Sequence, residues 1–124
     1  MGKKDRILWL DEPQDHDYPS AASYLRLLYD GKTVTACVRK LKAAKISEFK
    51  AKDIFRASWL SLLGVSNSHV KKDIKKLRTW EKLSPLLLVR SQEGQEKLII
   101  ADGYHRLCAV YKFDEDAVVP CKIC

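Results

Sequence analysis

The stretch from Lys97 to Tyr111 constrains the fold of this chain more than any other, because it joins a strand, a turn and a helix within a few positions. Residues 97–100, a lysine followed by three apolar residues, predict a buried strand, and residues 104–112 place apolar side chains at helical spacing. Between them the chain turns at 101–103, where Asp102 is a favourable N-cap and Gly103 allows close approach to the backbone. Such a turn brings free N–H groups and the positive end of a helix dipole to one point, which attracts anions.

The first turn of this predicted helix carries side chains that suit a phosphate group. Arg106 can bind phosphate through two parallel hydrogen bonds, and His105 can add a further donor. A second interpretation needs no ligand: Asp102 caps the helix, Gly103 makes the turn, and Arg106 pairs with a surface carboxylate. The residue types alone leave both interpretations open.

The segment from Asp102 to Arg106, with the sequence Asp-Gly-Tyr-His-Arg, resembles the nucleotide-binding signature of the ParB/sulfiredoxin-like superfamily. In that family a strand leads into Gly-x-His-Arg or Gly-x-Arg-Arg and then a helix. Residues 83–89 resemble the family's proline followed by a hydrophobic strand, and residues 117–123 resemble its closing strand. The resemblance spans residues 45–124 and is closest to small, uncharacterised bacterial ParB-like proteins. It implies an α+β domain with a small mixed sheet and packed helices.

The resemblance implies that the phosphates of a nucleotide lie on this turn. Sulfiredoxins place a catalytic cysteine immediately before the His-Arg pair, and the tyrosine found there in this chain argues against reduction of a sulfinic acid. The family also has a helix beside the nucleotide, which corresponds here to residues 69–81. The candidate phosphate- or nucleotide-binding residues are therefore Asp102, Gly103, Tyr104, His105, Arg106, Lys71 and Lys75.

The implied cofactor is a nucleoside triphosphate with Mg²⁺, for which Asp102 or the acidic residues 114–116 are candidate helpers. A metal held by protein ligands alone is not expected, because His69 and His105 lie far apart in the sequence and neither has a second ligand nearby. Cys121 and Cys124 have Cys-x-x-Cys spacing. On a predicted strand, however, residues three apart point to opposite faces, which is poor geometry for a shared metal.

Length and charge limit the classes of function. A chain of 124 residues forms one domain, and it has no apolar run near the ~20 residues that span a bilayer, so we expect a cytoplasmic protein without a membrane partner. The net charge is +7, and the basic excess falls in residues 43–82, which hold 10 basic and 4 acidic side chains. A basic face of this kind attracts nucleotide phosphates or nucleic acid.

The remaining pattern divides the chain into two parts of one globular unit. Residues 1–44 comprise an N-terminal segment and a helical hairpin, with helices predicted at 19–29 and 33–44. We expect this hairpin to pack on the core or to form the interface of a homodimer. Residues 45–124 form the ParB/sulfiredoxin-like domain. The predicted elements there are a strand at 46–50, a turn or short helix at 53–57, the helix at 69–81, strands at 86–90, 97–100 and 117–124, and a hairpin loop at 92–95.

Three functions remain open from the sequence. The leading hypothesis is a nucleotide- or phosphate-binding module. The second is an enzyme that transfers a phosphoryl group from a nucleotide or cleaves nucleic acid, which substrate-dependent nucleotide turnover would reveal. The third is a DNA-associated or partner-binding protein that makes no use of nucleotide, which a steep salt dependence of DNA binding would support.

Overall fold

A computed structural model of the protein describes residues 7–62, 67–78, 81–91 and 97–124. Within these ranges the chain is a mixture of helices and strands, which confirms the predicted α+β class. None of the described helices is both long enough and apolar enough to cross a membrane. The predicted loop at 92–95 lies outside the described residues. The elements in chain order are α1 (Asp17–Leu25), α2 (Gly31–Ala43), β1 (Ser47–Lys50), α3 (Ala51–Ser58), α4 (Ser68–Arg78), β2 (Leu86–Arg90), β3 (Leu98–Asp102), α5 (Tyr104–Phe113) and β4 (Val118–Ile123).

The described strands form one mixed sheet in the order β1-β4-β2-β3. β2 and β3 are antiparallel neighbours, as expected for a hairpin, and β4 lies between β1 and β2, antiparallel to the first and parallel to the second. The register of β2 and β3 shifts by one residue, because Leu88 pairs with Ile100 whereas Leu87 pairs with Asp102. This irregularity lies at the end of β3 that leads into α5, a common place for a bulge beside a functional site.

Different helices cover the two faces of the sheet. Leu86 and Leu88 pack in a core cluster with α3, α4 and α5, whereas Leu87 and Val89 pack in a second cluster with α1 and α2. Successive side chains of a strand point to opposite faces, so a strand buried on both sides needs apolar residues at every position. The unbroken apolar run of β2 is explained in this way, and the predicted N-terminal helical hairpin lies on one face of the sheet.

The segment before α1 is attached to the loop that enters β2. The N–H of Leu10 donates to the carbonyl of Leu83 at 2.8 Å, and the N–H of Leu83 donates to the carbonyl of Leu8 at 2.9 Å. The hydroxyl of Ser84 donates to the buried carboxylate of Asp17, the first residue of α1. These bonds fix the loop at 83–85, which forms one edge of the site described below.

Candidate functional site

The turn between β3 and α5 consists of Gly103 alone, since β3 extends through Asp102 and α5 begins at Tyr104. The prediction of a three-residue turn at 101–103 was therefore too long. Gly103 has φ of +106°, a conformation that other residues rarely adopt. A Cβ atom at this position would lie 2.7 Å from Cγ of Leu86 and 2.9 Å from Nη2 of Arg106. Both the backbone conformation and the available space therefore require glycine.

Asp102 does not cap α5, and that prediction was wrong. Gly103 occupies the N-cap position, and no capping side chain satisfies the start of the helix. Because Asp102 is one residue too far from the helix, its carboxylate instead accepts a hydrogen bond from Nη2 of Arg106 at 2.9 Å. Both side chains are largely buried, with 16% and 17% exposed. Burial raises the pKa of Asp102, and the charge of Arg106 opposes part of that rise.

Arg106 also connects α5 to the loop that precedes β2. Its Nε donates to the carbonyl of Ser84 at 3.0 Å, and its Nη2 lies 3.4 Å from the carbonyl of Pro85. The interpretation in which Arg106 pairs with a carboxylate is thus confirmed, although that carboxylate is largely buried rather than on the surface. The guanidinium still forms part of the wall of an adjacent groove.

α4 faces this turn across a groove of about 570 Å³, which we call the α4–α5 groove. One wall is formed by residues 102–106, and the opposite wall by one face of α4. Lys82 and Ser84 line the edge that precedes β2, and His16 lines the edge formed by the N-terminal segment. The α4 wall consists of His69, Lys72, Asp73 and Lys76.

The structure brings the five predicted turn residues into this groove but places Lys71 and Lys75 elsewhere. Those two lysines line a separate depression on the outer face of α4, whereas Lys76 lines the groove and Lys72 lines both. Successive residues of a helix are rotated by about 100°, so Lys71 and Lys75 point away from the groove while the residues that follow them reach it. The run Lys71-Lys72-Asp73-Ile74-Lys75-Lys76 offers cations in both directions, and the sequence alone did not distinguish them.

Two histidines that are distant in sequence meet inside the groove. The ring of His69 on α4 and the ring of His105 on α5 have centroids 4.7 Å apart and planes inclined by 38°. Burial lowers the pKa of His105, the neighbouring His69 lowers it further, and Asp73 opposes these effects. Sequence reasoning missed this pair because it depends on the packing of two helices and leaves no signal in the spacing of residues.

Asp73 is a buried carboxylate on the α4 wall, with 8% of the residue exposed. Burial raises the pKa of Asp73, whereas the positive charges of Lys76 and Arg106 act in the opposite direction. It was also absent from the predicted site, since an acidic residue in a lysine-rich helix resembles an ordinary surface position. An acid with a raised pKa that lines a groove is a candidate for proton transfer.

Tyr104 connects the start of α5 to the segment after α3. Its hydroxyl donates to the carbonyl of Ser61, and its ring lies edge-on to Phe55 with centroids 6.5 Å apart. Burial raises the pKa of Tyr104. The residue therefore occupies the position before the His-Arg pair as a packing residue whose polar end is already bonded, while it lines part of the groove.

The cysteines lie away from the groove. Cys108 is fully buried in the core. Cys121 packs in the cluster on one face of the sheet and Cys124 packs against the cluster on the other, as the period of a strand predicts. In the part of the chain that the structure describes, no group of three or more His, Cys, Asp or Glu side chains could hold a metal ion.

No model of a protein family, no curated protein and no solved structure matches this chain. The fold is therefore defined here by its own topology, a four-stranded mixed sheet between two helices on one face and three on the other within the described residues. Membership in the ParB/sulfiredoxin-like superfamily stays a prediction that depends on the motif at Asp102–Arg106 and its position before α5.

Proposed function

We propose that the α4–α5 groove binds the phosphate groups of a nucleotide or a related phosphorylated small molecule. The observation that carries this proposal is the start of α5: the helix begins at Gly103 without a capping side chain, and it begins inside the groove. Uncapped N–H groups and the positive end of a helix dipole favour an anion at this point. Gly103 has no side chain, and the space that a Cβ would fill is taken up by Leu86 and by the guanidinium of Arg106, which lines the groove.

The charges opposite the turn support the same proposal. Lys72 and Lys76 line the groove from α4, and Lys82 lines it from the segment before β2. These lysines and the helix start lie on different walls, so a phosphate chain between them would be contacted from both sides. Lysine binds phosphate as a strong point charge without the need for a fixed planar geometry.

The dimensions of the groove suit a ligand of this class. Its volume of about 570 Å³ falls within the ~300–1,000 Å³ usual for small-molecule sites. Asp102 provides carboxylate oxygens, the ligand type that Mg²⁺ prefers, so a nucleoside triphosphate bound with Mg²⁺ is the cofactor we propose. We extend the proposal to membership in the ParB/sulfiredoxin-like superfamily, whose signature implies phosphates at this turn.

Binding of ATP, ADP, CTP, GTP and pyrophosphate, each with and without Mg²⁺, tests the proposal in a thermal-shift assay followed by calorimetry. A ligand at ~100 times its dissociation constant adds about 2.7 kcal/mol to the free energy of unfolding. The informative comparison is between Lys72→Gln/Lys76→Gln and Lys71→Gln/Lys75→Gln, because both pairs remove two charges from the same helix. We expect the first pair to weaken binding at least tenfold and the second to change it little. Equal losses, or no binding of any ligand, would contradict the proposal.

A second candidate function is phosphoryl transfer from the bound nucleotide to a hydroxyl group. It is favoured by Asp73, whose buried carboxylate lines the same groove as His105 and has a raised pKa. A carboxylate tuned towards neutral pH can accept the proton of an attacking hydroxyl. Nucleotide turnover that depends on an added small-molecule alcohol, and that is lost in Asp73→Asn while nucleotide still binds, would establish this activity.

A further inference from the structure

We infer that His69 and His105 form a single subsite that shares one proton and selects a phosphomonoester, whose binding takes up that proton. The inference rests on the proposed function of the α4–α5 groove. It adds the kind of phosphate that is recognised, a terminal group with two negative charges, and it predicts how pH controls binding.

The rings of His69 and His105 lie side by side in the groove. The centroids of the two rings are 4.7 Å apart, and each ring is carried by a helix whose inner face belongs to the same core cluster. Val70, next to His69, and Leu107, two residues after His105, are both completely buried. The packing of the two helices therefore keeps the backbones at His69 and His105 close together.

The closeness of the two rings limits the positive charge that they can carry together. Two positive imidazolium rings at such a distance repel each other, so the first proton lowers the affinity of the pair for the second. Burial also lowers the pKa of His105. Without a ligand, His105 therefore binds a proton less readily than an ordinary histidine does.

The other charged groups around the pair act in both directions. Asp73 on α4 favours the protonated form of His105, and Arg106 on α5 disfavours it. The other charged or titratable residues of the groove come from α4, α5, β3, the edge before β2 and the N-terminal segment: Lys72, Lys76, Tyr104, Asp102, Glu81, Lys82 and His16. The carboxylates thus partly offset the cations, so a proton on the pair adds to a small positive net charge in the groove.

The charge of the His69–His105 pair depends on the charge of the ligand that it binds. A phosphomonoester carries about −1.5 to −2 charges at pH 7, because its second pKa is about 6, whereas a phosphodiester carries a single charge. The more negative ligand raises the pKa of the pair more and so takes up a proton more completely. Affinity must then fall as pH rises through the pKa of the pair in the complex.

The protein's three histidines make a direct measurement practicable. NMR titration of their ring signals, assigned with His16→Gln, His69→Gln and His105→Gln, gives the pKa of each ring with and without ligand. We expect His69→Gln to raise the pKa of His105 in the free protein, since it removes the neighbouring positive charge. If the titration of His105 is the same with and without His69, the two rings do not share a proton and the inference is overturned.

Calorimetry with AMP and 3′,5′-cyclic AMP tests selection, because these ligands differ only in whether the phosphate is a monoester or a diester. We expect AMP to bind at least tenfold more tightly than 3′,5′-cyclic AMP. Measurements in buffers of different ionisation enthalpy should show that AMP binding takes up part of a proton. The affinity for AMP should fall by up to tenfold per pH unit between about pH 6.5 and 8. Sulfate, which keeps two charges over this range, should show the same trend if the protein is the group that titrates.

Variants separate this inference from the proposed function on which it rests. His69→Gln and His105→Gln should flatten the pH profile of AMP binding, whereas Lys71→Gln, on the outer face of α4, should retain it. AMP binding with a flat profile in the wild-type protein, or with an unchanged profile in His69→Gln, would overturn the proton-sharing pair and leave the nucleotide groove intact. Failure of every nucleotide to bind at any pH would overturn both.

Discussion

Asp102 and Arg106 lie on either side of Gly103 and are joined by a contact of 2.9 Å between Oδ2 and Nη2. The ion pair spans the start of α5, and the same guanidinium lies against the space that a side chain at Gly103 would fill. Because Arg106 also binds the carbonyl of Ser84, the turn and the loop before β2 are held in one arrangement. The shape of the groove floor is therefore set in the absence of ligand.

Replacement of Arg106 should destabilise the protein as well as alter the groove. In Arg106→Gln, the buried carboxylate of Asp102 loses its cationic partner, and we expect a loss of about 3 kcal/mol in the free energy of unfolding, measured with urea. Arg56→Gln is the control, since the pair of Arg56 with Asp53 is exposed and should contribute less than ~1 kcal/mol. Addition of Asp102→Asn to Arg106→Gln should restore part of the loss, and purely additive effects would contradict the coupling.

Replacement by alanine should change the stability of the protein in opposite directions at Gly103 and at Gly31, the two glycines that the structure describes. Gly103→Ala places a Cβ 2.7 Å from Leu86 Cγ in a backbone conformation with positive φ, and we expect it to cost about 1–3 kcal/mol in stability. At Gly31, the first residue of α2, a Cβ meets no atom within 4 Å, so Gly31→Ala should be neutral or stabilise by up to ~1 kcal/mol. Equal effects of the two substitutions on urea unfolding would show that the turn is not constrained.

Asp73 should reduce stability at neutral pH. Its pKa is higher in the folded protein than the value of 3.8 expected when unfolded, so the folded state binds the proton more tightly and stability falls as pH rises through the folded pKa. Asp73→Asn keeps the shape and removes the charge, and we expect a gain of about 0.5–2 kcal/mol at pH 7 that disappears below the unfolded pKa.

Asp116 provides a control of opposite sign for that measurement. A hydrogen bond and the positive charge of Lys52 lower the pKa of Asp116, so the carboxylate stabilises the fold above its unfolded pKa and loses that effect as pH falls through the lower folded value. Asp116→Asn should therefore destabilise at pH 7. If Asp73→Asn and Asp116→Asn shift the unfolding midpoint in the same direction, the assignment of Asp73 as a strained buried acid is wrong.

The thiols should show a graded reactivity that follows their burial. Cys37, Cys108 and Cys121 are buried, and Cys124 is partly exposed. Burial raises the pKa of Cys121 to about 11, which keeps it in the unreactive thiol form. Ellman's reagent at pH 8 should modify one thiol slowly in the native protein, none in native Cys124→Ser, and four thiols of the wild type in urea. Rapid joint oxidation of Cys121 and Cys124 would contradict their placement on opposite faces.

The local signals in this sequence were sufficient for the central hairpin and the helix that follows. The bounds of β2 were predicted as Leu86–Arg90 and are confirmed, because Pro85 and an unbroken apolar run mark a strand buried on both faces. The start of α5 at Tyr104 follows from Gly103 in the same way. Two elements were underestimated. A turn or short helix was predicted at 53–57, and the helix spans Ala51–Ser58, while the strand predicted at 97–100 continues to Asp102.

Sequence patterns could not predict the contacts between distant segments of the chain. Lys122 lies in a strand where a lysine is expected to face solvent, yet its side chain is 4% exposed. Its Nζ donates to the carbonyl of Lys42 at 3.0 Å and lies 2.9 Å from the carboxylate of Glu12. The pairing of His69 with His105 has the same origin, since it requires α4 and α5 to pack side by side. In each case the tertiary fold determines which residues meet, and the spacing of residues in the sequence does not predict the contact.

The place of β4 in the sheet has a consequence for how the chain acquires its structure during synthesis. β4 is formed by residues 118–123, yet it separates β1 from β2 and pairs with both. β1 therefore has no partner within the described sheet until some seventy later residues have been synthesised. At ~5–20 residues per second, this waiting period lasts for several seconds. The sheet of the nascent chain can thus close only after β4 has been made.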